Sequence, residues 1–309
     1  MRIATTPPTT TPSTTTPNAH KATRRILLLS AVLSTLLGGC QTRGAEPFDG
    51  DRAVAFVEQQ LRFGPRSPGT EGNEQAAGWI KTTLDELGWE TDLHTASYQG
   101  VLLHTVVGKR GSSTAAGPIL IGTHYDTRPL ADRDPVDPGA PVPGANDGGS
   151  GVAVLLELAR VLPADVEDLE LWLVFFDGED SGNLGGWEWS AGATAFAADL
   201  EVRPQAVVIV DMVGDAHLRL PRERTSDPGL TDEIWSTARD VGASAFVDEQ
   251  GAAILDDHRP FLALGIPSVL IIDLDYAYWH TTQDTLDKVS AESLEQVGAV
   301  LQAWILSRR

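Results

Sequence analysis

The sequence predicts an α/β fold, a three-layer α/β/α sandwich around a mixed, mostly parallel sheet. Three observations predict it. Four short runs (Pro118–Gly122, Leu169–Phe176, Val207–Val210 and Val269–Ile272) are apolar but for Glu170 near the start of the second, as strands covered on both faces must be. These runs alternate with stretches of helical periodicity. Acids and histidines then follow the apolar runs at short distance: His124 and Asp126, Glu179 and Asp180, Asp211, and His280. In open α/β sheets ligands bind outside the carboxyl ends of the strands, so this placement predicts a site there.

The elements read as follows. Residues 51–63 carry Ala53, Phe56, Val57 and Leu61 at helical spacing, and a Gly/Pro-dense loop, Phe63–Thr70, follows. A second helix spans 71–87 with Ala76, Trp79, Ile80, Leu84 and Leu87 on one side, and Gly88 ends it. Strands are predicted at 90–98, 101–109 and 118–122, then a helix at 148–162. Strands at 169–176, 207–210 and 269–272 are interleaved with helices near 193–198, 230–241 and 291–306. There is no internal repeat.

The chain has 309 residues, 42% apolar and 21% charged, with a formal charge of −20. Residues 1–39 hold four basic side chains and no acid, which leaves 19 basic against 43 acidic in the remainder. Such a surface repels nucleic acid and anionic lipid, and no basic stripe interrupts it. The domain reading is a leader at 1–39, a tether at 40–50 and a single catalytic domain at 51–309.

Within the leader, residues 1–23 form a Thr/Pro-rich run expected to be disordered. Arg24-Arg25, the apolar run Ile26–Leu37 and Gly38-Gly39-Cys40 then have the layout of a secretory signal. Leu37-Gly38-Gly39-Cys40 resembles a bacterial lipobox, which implies lipidation of the sole cysteine, Cys40. An exported bacterial lipoprotein is expected, periplasmic or at the cell surface, touching membrane only through a lipid anchor.

Zinc takes imidazole nitrogens and carboxylate oxygens, and a catalytic site keeps one position free. His124, Asp147, Asp180, Asp211 and His280 supply those ligand types from five separate segments. Asp126, two residues beyond His124, is placed to orient a ligand imidazole. Asp147 lies among small neighbours (Gly144–Gly151) that let backbone approach a metal closely. Adjacent acids cannot both face one atom, so Glu179 and Asp180 divide between general base and metal ligand. Trp187, Trp189 and Trp279 sit among glycines and polar residues beside the acids, where core packing explains them less well.

Five segments resemble the successive signatures of metallopeptidase family 28, which holds zinc aminopeptidases and glutaminyl-peptide cyclotransferases. They are Thr123–Asp126, Gly144–Gly151, Phe175–Asp180, Asp211–Gly214 and Trp279–Thr281. The resemblance covers about residues 51–307 and implies an aminopeptidase-like fold. It implies Asp147, Asp180 and His280 as zinc ligands and Glu179 as the general acid/base. His124 and Asp211 match second-metal ligands in the peptidases, and Asp211 matches a hydrogen-bonding acid in the cyclases. Phe63–Arg66, Phe176–Glu179, Asp256–Phe261 and Trp279 beside His280 look more like the cyclase branch, although animal cyclases carry Glu where Asp180 stands. That branch implies Trp187 or Trp189, with Trp279, lining a glutaminyl pocket, and Asp256 paired with Asp211.

Two reactions on peptide or protein N-termini therefore follow. With one zinc the chain cyclises N-terminal glutamine to pyroglutamate and releases ammonia; with two zincs sharing Asp147 it hydrolyses N-terminal residues. A non-enzymatic, metal-dependent binding lipoprotein is a third reading, disfavoured by the presence of Glu179.

Overall fold

The computed structural model describes residues 46–112, 116–164 and 169–308, so the expectations for the leader and Cys40 lie outside it. In chain order the elements are α1 (Gly50–Leu61), α2 (Glu71–Glu86), β1 (Glu90–Tyr98), β2 (Val101–Gly111), β3 (Ile119–His124) and α3 (Gly149–Val161). They continue with β4 (Glu170–Phe176), α4 (Ala191–Ala198), β5 (Ala206–Asp211), β6 (Leu220–Arg222) and α5 (Pro228–Val241). The last are β7 (Phe246–Gln250), α6 (Arg259–Ala263), β8 (Ser268–Ile272) and α7 (Ala291–Leu306). Helix starts are fixed locally: Asp49, Thr70, Asp227 and Ser290 each accept an N–H of the first turn of α1, α2, α5 and α7.

The main sheet has the order β1-β2-β4-β3-β5-β8. β1, β2 and β4 pair antiparallel, whereas β4, β3, β5 and β8 run parallel. Side chains alternate across a strand, so a strand buried on both faces divides its residues between two cores. Ile119, Ile121, Leu171, Leu173, Phe175, Val208, Val210, Val269 and Ile271 face the core under α1, α2, α3, α5 and α7. Leu120, Trp172, Val174, Phe176, Val207, Ile209, Leu270 and Ile272 face the opposite core, beneath α4 and α6. The result is the α/β/α sandwich with a mostly parallel sheet that the alternating runs predict.

The chain passes from β3 to β4 on one side, then crosses back over β3 to β5 on the other. The parallel strands thus deliver their carboxyl ends to one edge at a topological switch point. α6 and the small β6–β7 sheet are additions to the predicted elements; at five, three and five residues they are too short to show a period. No helix of the described residues is long and apolar enough to cross a membrane.

Ile121 is fully buried on the strand that ends at His124. Ile121→Ala is expected to cost about 2–5 kcal/mol of stability by urea denaturation. A wild-type midpoint would show that this core tolerates the cavity.

Candidate metal centre

The carboxyl ends of β3, β4 and β5, with two loops, bring the predicted residues together. His124 closes β3 and Asp211 closes β5. Asp147 precedes α3, Glu179-Asp180 follow β4, and His280 lies in the loop after β8. All are buried, each exposing 6% or less of its surface.

Two ligand-type groups share Asp147, one with Asp180 and His280 and one with His124 and Asp211; within each group the donor atoms lie within 4.8 Å of one another. The groups differ in how their atoms are satisfied. His124 Nδ1 donates to the Asp126 carbonyl at 3.2 Å, and its Nε2 lies 3.0 Å from Asp211 Oδ1 and 3.3 Å from Asp147 Oδ1. By contrast Asp147 Oδ2, Asp180 Oδ2 and His280 Nε2 are buried with no hydrogen-bond partner, although His280 Nε2 is only 3.1 Å from Asp180 Oδ1. Buried polar atoms without partners are costly, and three converging ones of metal-ligating type fit a cation.

Electrostatics points the same way. Burial raises the Glu179 and Asp256 carboxyls well above their ordinary range, with neighbouring acids adding to the effect. It pushes Asp180, Asp257 and Asp284 up to about 7. Burial acts in the same direction on Asp147, but His124, His280 and Arg128 hold that carboxyl below its usual value. So many desolvated acids around few cations form a site that positive charge would relieve.

The supporting groups come from far along the chain. Asp126, fully buried, accepts the backbone N–H of both Glu179 and Asp180 at 3.1 Å, and its Oδ1 lies 3.4 Å from His124 Nδ1. It therefore orients the imbricated turn after β4 as well as the imidazole. Asp284 accepts the N–H of Asn146 at 2.9 Å and of Asp147 at 3.0 Å, and the Tyr276 hydroxyl at 2.8 Å. Arg128 donates to the Asp180 carbonyl and to Asp132, whose Oδ1 lies 3.3 Å from His280 Nδ1. The buried guanidinium of Arg66 ties the Phe63–Thr70 loop to the carbonyls of Tyr125, Pro143 and Gly144.

Sequence reasoning missed Asp284, Arg128 and Asp132 because these polar residues occupy loops and show no period. The one available signal for Asp284 is its position four residues beyond His280 in a run of polar side chains.

Backbone strain concentrates here. His280 (φ 58°), Met212 (φ 46°) and Ser190 (φ 57°) are left-handed non-glycine residues beside the cluster, each costing about 1–3 kcal/mol. Gly148, at φ 76°, sits where a Cβ would come within 2.5 Å of the Asp126 carbonyl and 3.2 Å of the His124 ring.

A cavity of about 250 Å³ opens on the cluster. Asp147, Glu179, Asp180, Asp211, Asp256 and His280 supply its polar wall. Trp189, Trp279, Ile254, Leu255, Ile272 and Leu274 are among its apolar lining. Trp189 stacks on His280 with ring centroids 6.1 Å apart and planes 18° apart, while Trp279 lies 4.1 Å from the same imidazole. A Cβ on Gly182 would stand 2.1 Å from the Trp189 indole, so glycine is required for that ring to settle. Of the two tryptophans left open as the first pocket wall, Trp189 lines the cavity. Trp187 does not: it packs edge-on against Tyr98 with ring centroids 5.0 Å apart.

Residues 105–305 match the family described as Peptidase family M28. The chain belongs to that family. Among similar solved structures, Porphyromonas gingivalis glutaminyl cyclase is 31% identical, with 86% of this chain and 100% of that chain covered at a TM-score of 0.80. A Zn-dependent exopeptidase from Parabacteroides distasonis is 28% identical over 86% of this chain and 100% of its own, with a TM-score of 0.79. Aminopeptidase YwaD of Bacillus subtilis is 27% identical over 83% of this chain, which spans only 57% of that protein. This M28 chain is thus an enzyme of a family of glutaminyl cyclases and zinc exopeptidases, with a candidate metal site at the carboxyl edge of its sheet.

Asp284→Asn keeps the side chain's shape but replaces one acceptor oxygen by a donor that faces a backbone N–H. Zinc affinity, measured by chelator competition, is expected to fall about 10–100-fold with folding retained. Unchanged affinity would refute the positioning assigned to Asp284.

Proposed function

We propose that this enzyme is a glutaminyl-peptide cyclotransferase, converting an N-terminal glutamine to pyroglutamate with release of ammonia. The observation that carries the reading is the cavity: a residue-sized space with aromatic walls, a buried acid beside the metal ligands, and one set of unpartnered ligand atoms. Peptide hydrolysis requires water at the reacting carbonyl, whereas cyclisation requires its exclusion, and Trp189 and Trp279 favour the second.

Asp147, Asp180 and His280 would hold a single zinc. Bound there, zinc supplies Lewis-acid polarisation of a carbonyl. We read His124 Nε2, 3.0 Å from Asp211 Oδ1 and 3.3 Å from Asp147 Oδ1, as part of the hydrogen-bonded surround and not as a ligand of a second ion. Glu179 takes a proton from the substrate's α-amine, whose nitrogen attacks the side-chain amide carbon. The C–N bond to the amide nitrogen breaks, and Glu179 returns the proton to the departing ammonia. Asp211 and Asp256, on the same cavity wall, hold the amide nitrogen. The indoles of Trp189 and Trp279 confine the glutaminyl side chain and keep water out.

Zinc-dependent aminopeptidase activity is the second reading, favoured by the shared Asp147 and by His124 at its peptidase-like place. Residues 51–309 act as a single catalytic domain, and export as a lipoprotein through Cys40 is supported by residues 24–40 of the sequence.

Protein lacking residues 1–40 is expected to release ammonia from a Gln-initiated peptide and to leave a Leu-initiated chromogenic amide intact; the reverse pattern selects the peptidase. Glu179→Gln should abolish turnover with zinc still bound at one per chain, and two zincs in an active sample would overturn the mononuclear reading. In a bacterial host Cys40→Ser should move the full chain from the membrane to the soluble fraction, and continued membrane retention contradicts the lipid anchor.

A further inference from the structure

The reaction cavity has room for one amino-acid side chain, so the residues that follow the substrate's first must lie outside it. A second depression of about 490 Å³, nearly twice as large, lies beside the cavity. The two share Trp189, Leu255 and Asp256 in their linings. Helices α4 and α6 form the flanks of this outer groove, with Ala197 and Ala198 on one and Ala263 and Leu264 beside the other.

Two features mark the groove as built to receive chain. The first is exposed apolar surface. Leu255, on the saddle between the two depressions, is 62% exposed, and Leu264 in the groove is 48% exposed. Leu274, in the lining of the reaction cavity, is 37% exposed. A single exposed leucine is ordinary. Three of them around two adjoining depressions, with the partly buried Trp189 between, form the kind of patch that marks a binding groove.

The second feature is charge. On a chain of net charge −20, Arg259 lines the groove and its guanidinium makes no ion pair among the described residues. Of the other arginines beside the active centre, Arg128 pairs with Asp132, Arg66 donates to backbone carbonyls, and Arg133 lies over the Trp279 ring at 4.0 Å.

We propose that the groove is the subsite for the residues downstream of the N-terminal glutamine. An apolar second side chain crosses the Leu255 saddle onto Ala198 and Leu264, and a carboxylate beyond it meets Arg259. That carboxylate belongs either to an acidic third side chain or to the C-terminus of a short peptide. The substrate class is then a peptide with an apolar second residue and negative charge after it, selected against a basic one. This proposal rests on the cyclase reading, which places the glutamine in the inner cavity.

The test compares kcat/KM for glutamine amide, Gln-Leu-Glu amide, Gln-Leu-Lys amide, and Gln-Leu-Gly as free acid and as amide. The Glu peptide should exceed the Lys peptide by roughly 5–10-fold at low salt. The free-acid pair reports whether a terminal carboxylate substitutes for the acidic side chain. Arg259→Glu should reverse the Glu-over-Lys preference and leave glutamine amide unchanged. Ala198→Trp, on the exposed face of α4, fills the groove without entering the core; it should raise KM for the tripeptides at constant kcat and spare glutamine amide. Turnover of glutamine amide with no downstream preference overturns the groove alone, as does an Arg259→Glu effect equal on all substrates. No ammonia from any of them overturns the cyclase reading and the groove with it.

Discussion

The Asp126 carboxylate is the constraint on which the site depends. It lies two residues past the end of β3, fully buried, and holds two consecutive N–H groups of the segment after β4. Parallel pairing places His124 opposite Phe176, so the strands fix where these segments begin but not how the second one turns. Asp126 decides that turn, aiming Glu179 and Asp180 at one space, while its own carbonyl fixes the His124 ring. A carboxylate accepting two amides is a stronger acceptor than a neutral side chain, and the local dielectric raises the penalty for losing it. The proposed general base Glu179, the candidate ligand Asp180 and the His124 ring thus share a single anchor.

Around that anchor, local conformations are bought at a cost only a packed scaffold can meet. His280, Met212 and Ser190 all occupy left-handed backbone without being glycine. Each stands at or next to a group that faces the cavity: His280 is itself a candidate ligand, Met212 follows Asp211, and Ser190 follows Trp189. All three residues are buried, so the packing around them keeps these conformations in place. The strain is spent on aiming side chains, which is where a rigid sheet edge has most value.

Much of this was legible in the sequence. Four apolar runs and the acids following them predicted both the parallel strands and the edge carrying the site, because strand burial and strand ends leave local signatures. What stayed hidden depends on distant partners. Asp284 serves Asp147 from 137 positions away, and only its place in the polar run after His280 hints at it. The choice of Trp189 over Trp187 turns on one left-handed serine and on the glycine beneath the indole, Gly182, which spacing alone does not reveal. The short elements α6 and β6–β7 lack the length for a period, yet α6 supplies one flank of the outer groove.

The crowding of desolvated acids has a consequence for the life of the molecule outside catalysis. A cation that binds this cluster binds the folded chain and finds no such cluster in the unfolded one, so occupancy and folding are thermodynamically linked. Saturation at a hundred times the dissociation constant adds about 2.7 kcal/mol to stability. Free metal in the surroundings therefore acts as a thermostat on the protein's persistence. Without a cation, the same desolvated carboxylates repel one another at the carboxyl edge of the sheet, and their burial counts against the fold.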